Sequence, residues 1–358
     1  MTASARWLLL ALLAAAPGTL PLVALGATTP TITIRLSVDE NPIVPRLATS
    51  LGYFRDEGIV IVPVKVENLS KEDYLLQWPL VDGRIDAAYH WFHHAVFGAR
   101  HQLPITAVMV FNDAPGMTVM VANAARDRIR SAADFRGQRV AQGAGYGTKS
   151  LLTAYLANKA GLPDHSYTPV LMESQGRQAA VLAALQTGNV EVMTFQEPIT
   201  SALQQTGLVS TLYNLNDLKS TTQVFGAPWP AQSLLMSPAY VANHPQHVQH
   251  LVNALVRTMR FINSHSAAEI AATLPAEYFA GKNRLEEISL IEKTLATFAR
   301  NDYRFTSGGV QLVVDAINFY DFDASEEGQW RATTEVAHVD PQQLYTNRFV
   351  IHAMRRYP

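Results

Sequence analysis

The residues Tyr89-His90-Trp91-Phe92-His93-His94 put three imidazoles and three aromatic rings into one short run. On a helix, His90 and His94 would share a face at the spacing of a two-histidine metal grip. The run holds no carboxylate and no H-E-x-x-H is nearby, so no metal is expected. The residues before it read as a strand. Tyr89, His90 and Trp91 are therefore expected at a strand end, with His90 and Trp91 in a loop as a pocket wall, and His93 and His94 at a helix start or on the surface.

A second stretch, Gly143-Ala144-Gly145-Tyr146-Gly147-Thr148-Lys149-Ser150, leads from a strand into a helix carrying Leu151, Leu152, Tyr155 and Leu156. Glycines before a helix start expose backbone N–H groups, and with the positive end of the helix dipole these bind anions well. The spacing is neither a P-loop nor a full dinucleotide fingerprint. Tyr146, Gly147, Thr148 and Lys149 are candidate ligand contacts, with Lys149 favouring an anionic end. The plain alternative is a turn in which Thr148 is the N-cap.

Five further positions join these. Gln196 and Glu197 stand in Gln196-Glu197-Pro198 at another strand end, where Glu197 either meets a ligand with N–H donors or braces the local structure. Asn41 and Asn112 each follow a strand and either donate to a ligand or organise a turn. Trp229, within Gly226-Ala227-Pro228-Trp229-Pro230, closes over a ligand or packs a hinge. The chain has no cysteine, which excludes disulfides, thiolate metal sites, a thiol nucleophile and a lipidated N-terminal cysteine. It also lacks a G-x-S-x-G elbow.

Elements that could position these residues alternate along the chain. Ile32, Ile34 and Leu36 mark an opening strand, and Ile59 to Val66 a second whose Pro63 suits an edge or a bulge. Further strands are expected at Ile105 to Val110, Thr118 to Val121, Arg139 to Gln142, Val190 to Phe195 and Ser233 to Met236. The clearest helix has Val248, Leu251, Val252, Leu255, Met259 and Ile262 on one face, with Pro245 in its first turn. Strands interleaved with helices give an α/β fold with mainly parallel sheets. One echo stands out: Leu80-Val81-Asp82-Gly83-Arg84-Ile85-Asp86 resembles Leu185-Gln186-Thr187-Gly188-Asn189-Val190-Glu191, each a helix end, a glycine and a strand start. Either the two halves correspond, or two unrelated junctions coincide. If they correspond, a cleft lies beyond Tyr89-His90-Trp91 in one half and Phe195-Gln196-Glu197 in the other.

The whole chain sets limits on these readings. At 358 residues it exceeds one hydrophobic core, and 28 basic against 30 acidic residues leave no basic footprint for nucleic acid. Arg6, the apolar run Trp7 to Ala16 and the small residues at Ala24-Leu25-Gly26 read as a signal peptide over 1–26, cleaved to leave an exported protein beginning near Ala27.

Four motifs carry a family resemblance. Leu51-Gly52-Tyr53-Phe54-Arg55-Asp56-Glu57-Gly58-Ile59 resembles G-Y-F-x-x-E-G-[LI]; Gly83-Arg84-Ile85-Asp86 resembles G-x-[IV]-D; Ile129 through Asp134-Phe135-Arg136-Gly137-Gln138-Arg139-Val140 resembles I-x-x-x-x-D-[LF]-x-G-x-x-[IV]; and Glu197-Pro198 matches E-P. In this order they are similar to the nitrate, sulfonate and taurine-type periplasmic solute-binding proteins of ABC importers, related to proteins binding the pyrimidine precursor of thiamine. Tyr345-Thr346-Asn347-Arg348-Phe349 resembles that family's closing segment.

The resemblance implies a two-lobed type II periplasmic binding protein fold. Lobe one would span 27–116 plus 230–358, and lobe two, inserted through two hinge crossovers, 117–229. It implies a periplasmic monomer without cofactor that captures a small organic solute, anionic (sulfonate or carboxylate) or heteroaromatic, and delivers it to an inner-membrane ABC permease. The alternatives are an enzyme resembling the thiamine pyrimidine-precursor synthases and a ligand-sensing receptor subunit.

Overall fold

The computed structural model describes residues 31–38, 42–65, 76–142, 147–163, 166–172, 177–300, 302–319 and 338–358. The expected signal peptide, Asn41 and Tyr146 lie outside them. Ten strands form two sheets: β1 (Ile32–Val38), β2 (Ile59–Val64), β3 (Ala87–Trp91), β4 (Thr106–Val110), β5 (Met117–Ala122), β6 (Arg139–Gln142), β7 (Thr168–Leu171), β8 (Val192–Gln196), β9 (Val209–Leu215) and β10 (Gln232–Met236). The first sheet runs β2-β1-β3-β10-β4 and the second β7-β6-β8-β5-β9. In the first, β1 is parallel to β2 and β3, and β10 is antiparallel to β3 and β4. In the second, β6 is parallel to β7 and β8, and β5 is antiparallel to β8 and β9. Each sheet thus has the same spatial order, with one antiparallel strand in the fourth place arriving from the other half of the chain.

This is the α/β, two-sheet type II architecture. Pro63 sits in β2, an edge strand, as its missing N–H requires. The strands β7 and β9 escape the sequence reading because their burial is patchy: Leu171 is 75% exposed and no clean alternation marks them.

The helices in chain order are α1 (Ile43–Ser50), α2 (Tyr53–Asp56), α3 (Gln77–Val81), α4 (His93–Arg100), α5 (Thr148–Lys159), α6 (Arg177–Gln186), α7 (Ile199–Gln205), α8 (Leu218–Phe225), α9 (Pro238–Asn243), α10 (Pro245–Ser264), α11 (Ala267–Thr273), α12 (Arg284–Thr294), α13 (Ser307–Phe319) and α14 (Arg348–Arg356). They make three apolar layers. Ile34, Leu36, Val108, Met109, Leu234 and Met236 of the first sheet face α1, α10 and α14. Val119, Val121, Val140 and Val192 of the second sheet share a central layer with Ala107, Val110 and Leu235 of the first, with α4, α5 and α13 between them. Met120, Met193 and Phe195 face α6 and α7 in a smaller outer layer. The alternating faces of β5, β8 and β10 follow the two-residue strand period, and each fully buried aliphatic chain contributes roughly 1.5–3 kcal/mol.

The chain passes between the sheets twice, after β4 and after β9, and the two crossovers run side by side. Phe111 N–H donates to Gln232 O (2.8 Å), Ala231 N–H to Asn112 O (2.8 Å) and Trp229 N–H to Asp113 O (3.0 Å). Behind this ribbon α13 packs on both α4 and α5.

Candidate functional site

The echoed segments occupy equivalent places. Gly83 (φ +77°) and Gly188 (φ +68°) each take the left-handed turn after a helix, where a side chain would strain the backbone. Asp86 and Glu191 then precede β3 and β8, the third strands of their sheets. Carboxyl ends of such strands are where ligands bind in open α/β sheets.

At the end of β3, Tyr89 turns its ring into the α10 layer, 4.6 Å from Phe111. His90 and Trp91 belong to the strand rather than a loop, paired with Ser233 and Gln232 of β10, and both are half-buried. The expected loop is corrected because the return strand β10 extends the ladder to Trp91. Phe92 is fully buried, and α4 starts at His93. His90 and His94 therefore share no helix face, yet their rings meet edge-on at 4.3 Å, while His93 stacks on His94 at 4.5 Å. Burial drives the His94 imidazole well below its ordinary pKa, and the neighbouring His90 and His93 add to the shift. Gln77 Nε2 donates to His94 O (2.9 Å). Among the described residues no three His, Cys, Asp or Glu side chains are arranged to hold a metal ion.

In the second sheet Gly147 is the N-cap of α5 and Thr148 its first residue, which overturns the reading of Thr148 as N-cap: Gly147 has the extended backbone (φ −73°, ψ 139°) that position needs. Among the described residues no side chain caps this first turn, and the first N–H groups of an α-helix have no acceptor within it. Ser150 is fully buried with an unpartnered Oγ. Thr153 Oγ1 lies 2.6 Å from Thr194 Oγ1, tying α5 to β8. This bond holds α5, one turn after Thr148 and Lys149, against the middle of β8, whose last residue Gln196 is exposed.

Glu197 accepts from Ser201 Oγ (2.8 Å) and Ser201 N–H (3.3 Å) in α7, so its carboxylate is engaged locally. Asn112 is buried in the crossover, donating Nδ2 to Thr297 Oγ1 (2.7 Å) while its Oδ1 is unpartnered. Trp229 is 1% exposed and packs on Phe225 at 5.2 Å and Tyr155 at 6.4 Å. Its ring braces the return crossover against α5 and α8. Asp113, beside it in the crossover ribbon, is pushed up to about 6 by burial.

Gln232, opposite Trp91, carries a buried unpartnered Oε1, and Lys293 of α12 reaches Ser201; the sequence reading missed both. Gln232 had one available signal, its place directly after the Trp229 crossover. Lys293 had none, since an exposed lysine on a helix is ordinary. One concavity, of about 430 Å³, is lined by Val121, Arg126, Arg130 and Ser210. It opens at the far end of the second sheet from the strand carboxyl ends.

Similarity to known proteins agrees with this geometry. A protein of Bordetella bronchiseptica RB50 of known structure is 22% identical, with a TM-score of 0.69 over 92% of this chain and 98% of its own. The periplasmic aliphatic sulphonate binding protein of Escherichia coli is 19% identical, with a TM-score of 0.63 over 87% and 97%. The periplasmic nitrate-binding protein of Synechocystis PCC 6803 is 14% identical, with a TM-score of 0.62 over 91% and 89%. No curated protein sequence matches the chain. The NMT1-like family matches residues 35–276, from β1 through α11, and the chain belongs to that family.

Proposed function

We propose that the chain is the periplasmic solute-binding subunit of an ABC importer and closes two lobes, 27–116 plus 230–358 and 117–229, around a small organic solute. One observation carries the reading: a third strand ending in His90 and Trp91 and the helix start at Gly147 to Lys149 belong to two matching sheets between which the chain crosses twice, with α13 packed behind the crossovers. Such an arrangement lets a ligand shift a hinge equilibrium by touching both lobes. The first turn of α5, with the buried Ser150 hydroxyl behind it, suits a sulfonate or carboxylate. Trp91 suits an apolar or heteroaromatic body. The folds of the sulphonate-binding and nitrate-binding proteins support an anionic ligand class. Because Glu197 is already bonded to Ser201, it presents less of an obstacle to an anion than a free carboxylate would. No described helix is long and apolar enough to cross a membrane.

A native mass spectrum of protein purified without refolding should show a co-purified small anion, released unchanged on denaturation. A chemically altered product would favour the enzyme reading instead. Titration of that solute into Trp91→Ala should show roughly tenfold weaker binding, the loss expected of a buried aromatic anchor. Thr148→Pro should lose at least as much, since proline removes an N–H from the anion-facing turn. Unchanged affinity in both variants would put the cleft elsewhere.

A further inference from the structure

A polar relay spans the gap between the two sheet units. Lys293 Nζ donates to Ser201 Oγ at 2.7 Å, and Ser201 Oγ donates onward to Glu197 Oε1 at 2.8 Å. Lys293 sits on α12, which packs on α11 and inserts Ile291 into the α10 layer of the first unit. Ser201 sits on α7, packed on β8 and β9 of the second. Its one hydroxyl proton goes to the carboxylate, because an ammonium only donates and a carboxylate only accepts. Glu197 is the residue directly after β8, so the relay ends on the very turn that closes the second unit's candidate site.

We propose that Lys293, Ser201 and Glu197 form an interlobe latch that holds the closed arrangement by joining α12 to the turn after β8. This assignment rests on the hinged-binding reading and adds to it a task for Glu197 that needs no ligand contact. Lys293 is exposed, so the latch is weak by construction: it biases the closed state without trapping it, and salt screens it. A latch of that strength lets ligand contacts, rather than the protein alone, decide whether the lobes stay shut.

The absence of native cysteine makes the test direct. Spin labels placed through Gln186→Cys on α6 and Gln246→Cys on α10, both exposed positions in different units, report the separation of the lobes by pulsed dipolar spectroscopy. No solute is added. The labelled parent should show a compact population. Lys293→Met and Ser201→Ala should each lower the compact-to-extended ratio by about two- to fivefold, the range of an exposed ion pair. One molar sodium chloride should do the same to the parent and nothing further to Lys293→Met. A parent without a compact population, or a Lys293→Met distance distribution matching the parent's, overturns the latch. Since no ligand enters the measurement, that failure leaves the binding reading to the mass spectrum and titration.

Discussion

The two halves of the molecule solve one structural problem with the same parts and then diverge at their carboxyl ends. In the first sheet, Arg35 of β1 grips Asp86 through its backbone N–H (2.7 Å), Nε (3.0 Å) and Nη2 (2.5 Å). In the second, Arg139 of β6 grips Glu191 through N–H (2.6 Å), Nε (3.2 Å) and Nη2 (2.5 Å). Each clamp ties the start of the third strand to its neighbour, the second strand of the sheet, and in return the Asp86 and Glu191 N–H groups donate to the Arg35 and Arg139 carbonyls. Beyond the clamp, the first unit ends its third strand in rings and imidazoles and the second in Gln196 and Glu197. The contrast teaches that the two halves share a scaffold and differ in the side chains carried at the ends of their third strands.

The largest expected effect concerns whether the halves behave as separate bodies. Trp229 belongs to the central layer, which contains residues of both sheets. Trp229→Ala should cost about 3–5 kcal/mol as a buried aromatic truncated to a cavity. Calorimetry of the parent should show one unfolding transition because the layer is common. The variant should show an earlier, broader or split one. An unaltered transition would mean that the hinge packing does not couple the halves.

The next effect separates the two clamps. Asp86 has Arg35 as its guanidinium partner, whereas Glu191 also receives Arg128 Nη2 at 3.0 Å. Burial raises the Glu191 carboxyl, but the bonds and charge of Arg139, with the charge of Arg128, outweigh it and hold the group below the usual carboxylate range. Arg35→Ala should therefore destabilise by about 2 kcal/mol and Arg139→Ala by distinctly less, both short of a fully buried pair because each arginine is partly exposed. Adding Arg128→Ala to Arg139→Ala should bring the second clamp's loss up to that of the first. Equal losses from the single variants in chemical denaturation would remove the asymmetry.

The clamps also show what could be read without coordinates. The glycine turns and the acidic residues after them were legible as a repeated seven-residue pattern, because helix caps and strand starts are local. The strands of the central and α10 layers were legible from apolar runs, and α10 from its 3.6-residue period. The partners of Asp86 and Glu191, 51 and 52 residues away, were not legible, since nothing in a sequence pairs a particular arginine with a distant carboxylate. For Trp229 the sequence leaves open whether the ring closes over a ligand or packs a hinge, and only the packing distances show it set against Tyr155 and Phe225. Residues 39–41 and 143–146, which hold Asn41 and Tyr146, lie outside the described residues, so those two assignments stay expectations.

The smallest effect is a difference in how the halves respond to acid. Of the eleven histidines, His165 alone falls between 117 and 229, and the stacked imidazoles of His90, His93 and His94 lie in the first unit. Burial keeps His94 neutral well below its ordinary pKa. In the unfolded chain the same imidazole takes its proton near pH 6.5, so below that pH the unfolded state binds more protons and stability falls as pH falls. Asp113 acts with the opposite sign: its carboxyl is raised to about 6 by burial, so the folded state takes up its proton first and gains stability as pH drops through that value. The net curve of the parent mixes both, and a substitution is needed to isolate one. His94→Gln removes the histidine contribution and leaves Asp113 in place. Between pH 7 and pH 5 the parent should lose about 1 kcal/mol more stability than His94→Gln, measured as the difference in slope of denaturation free energy against pH. Any constant packing cost of the substitution cancels in that slope. Parallel pH curves would show that His94 is solvated enough to titrate normally, and that the first unit is no more acid-sensitive at this stack than the second.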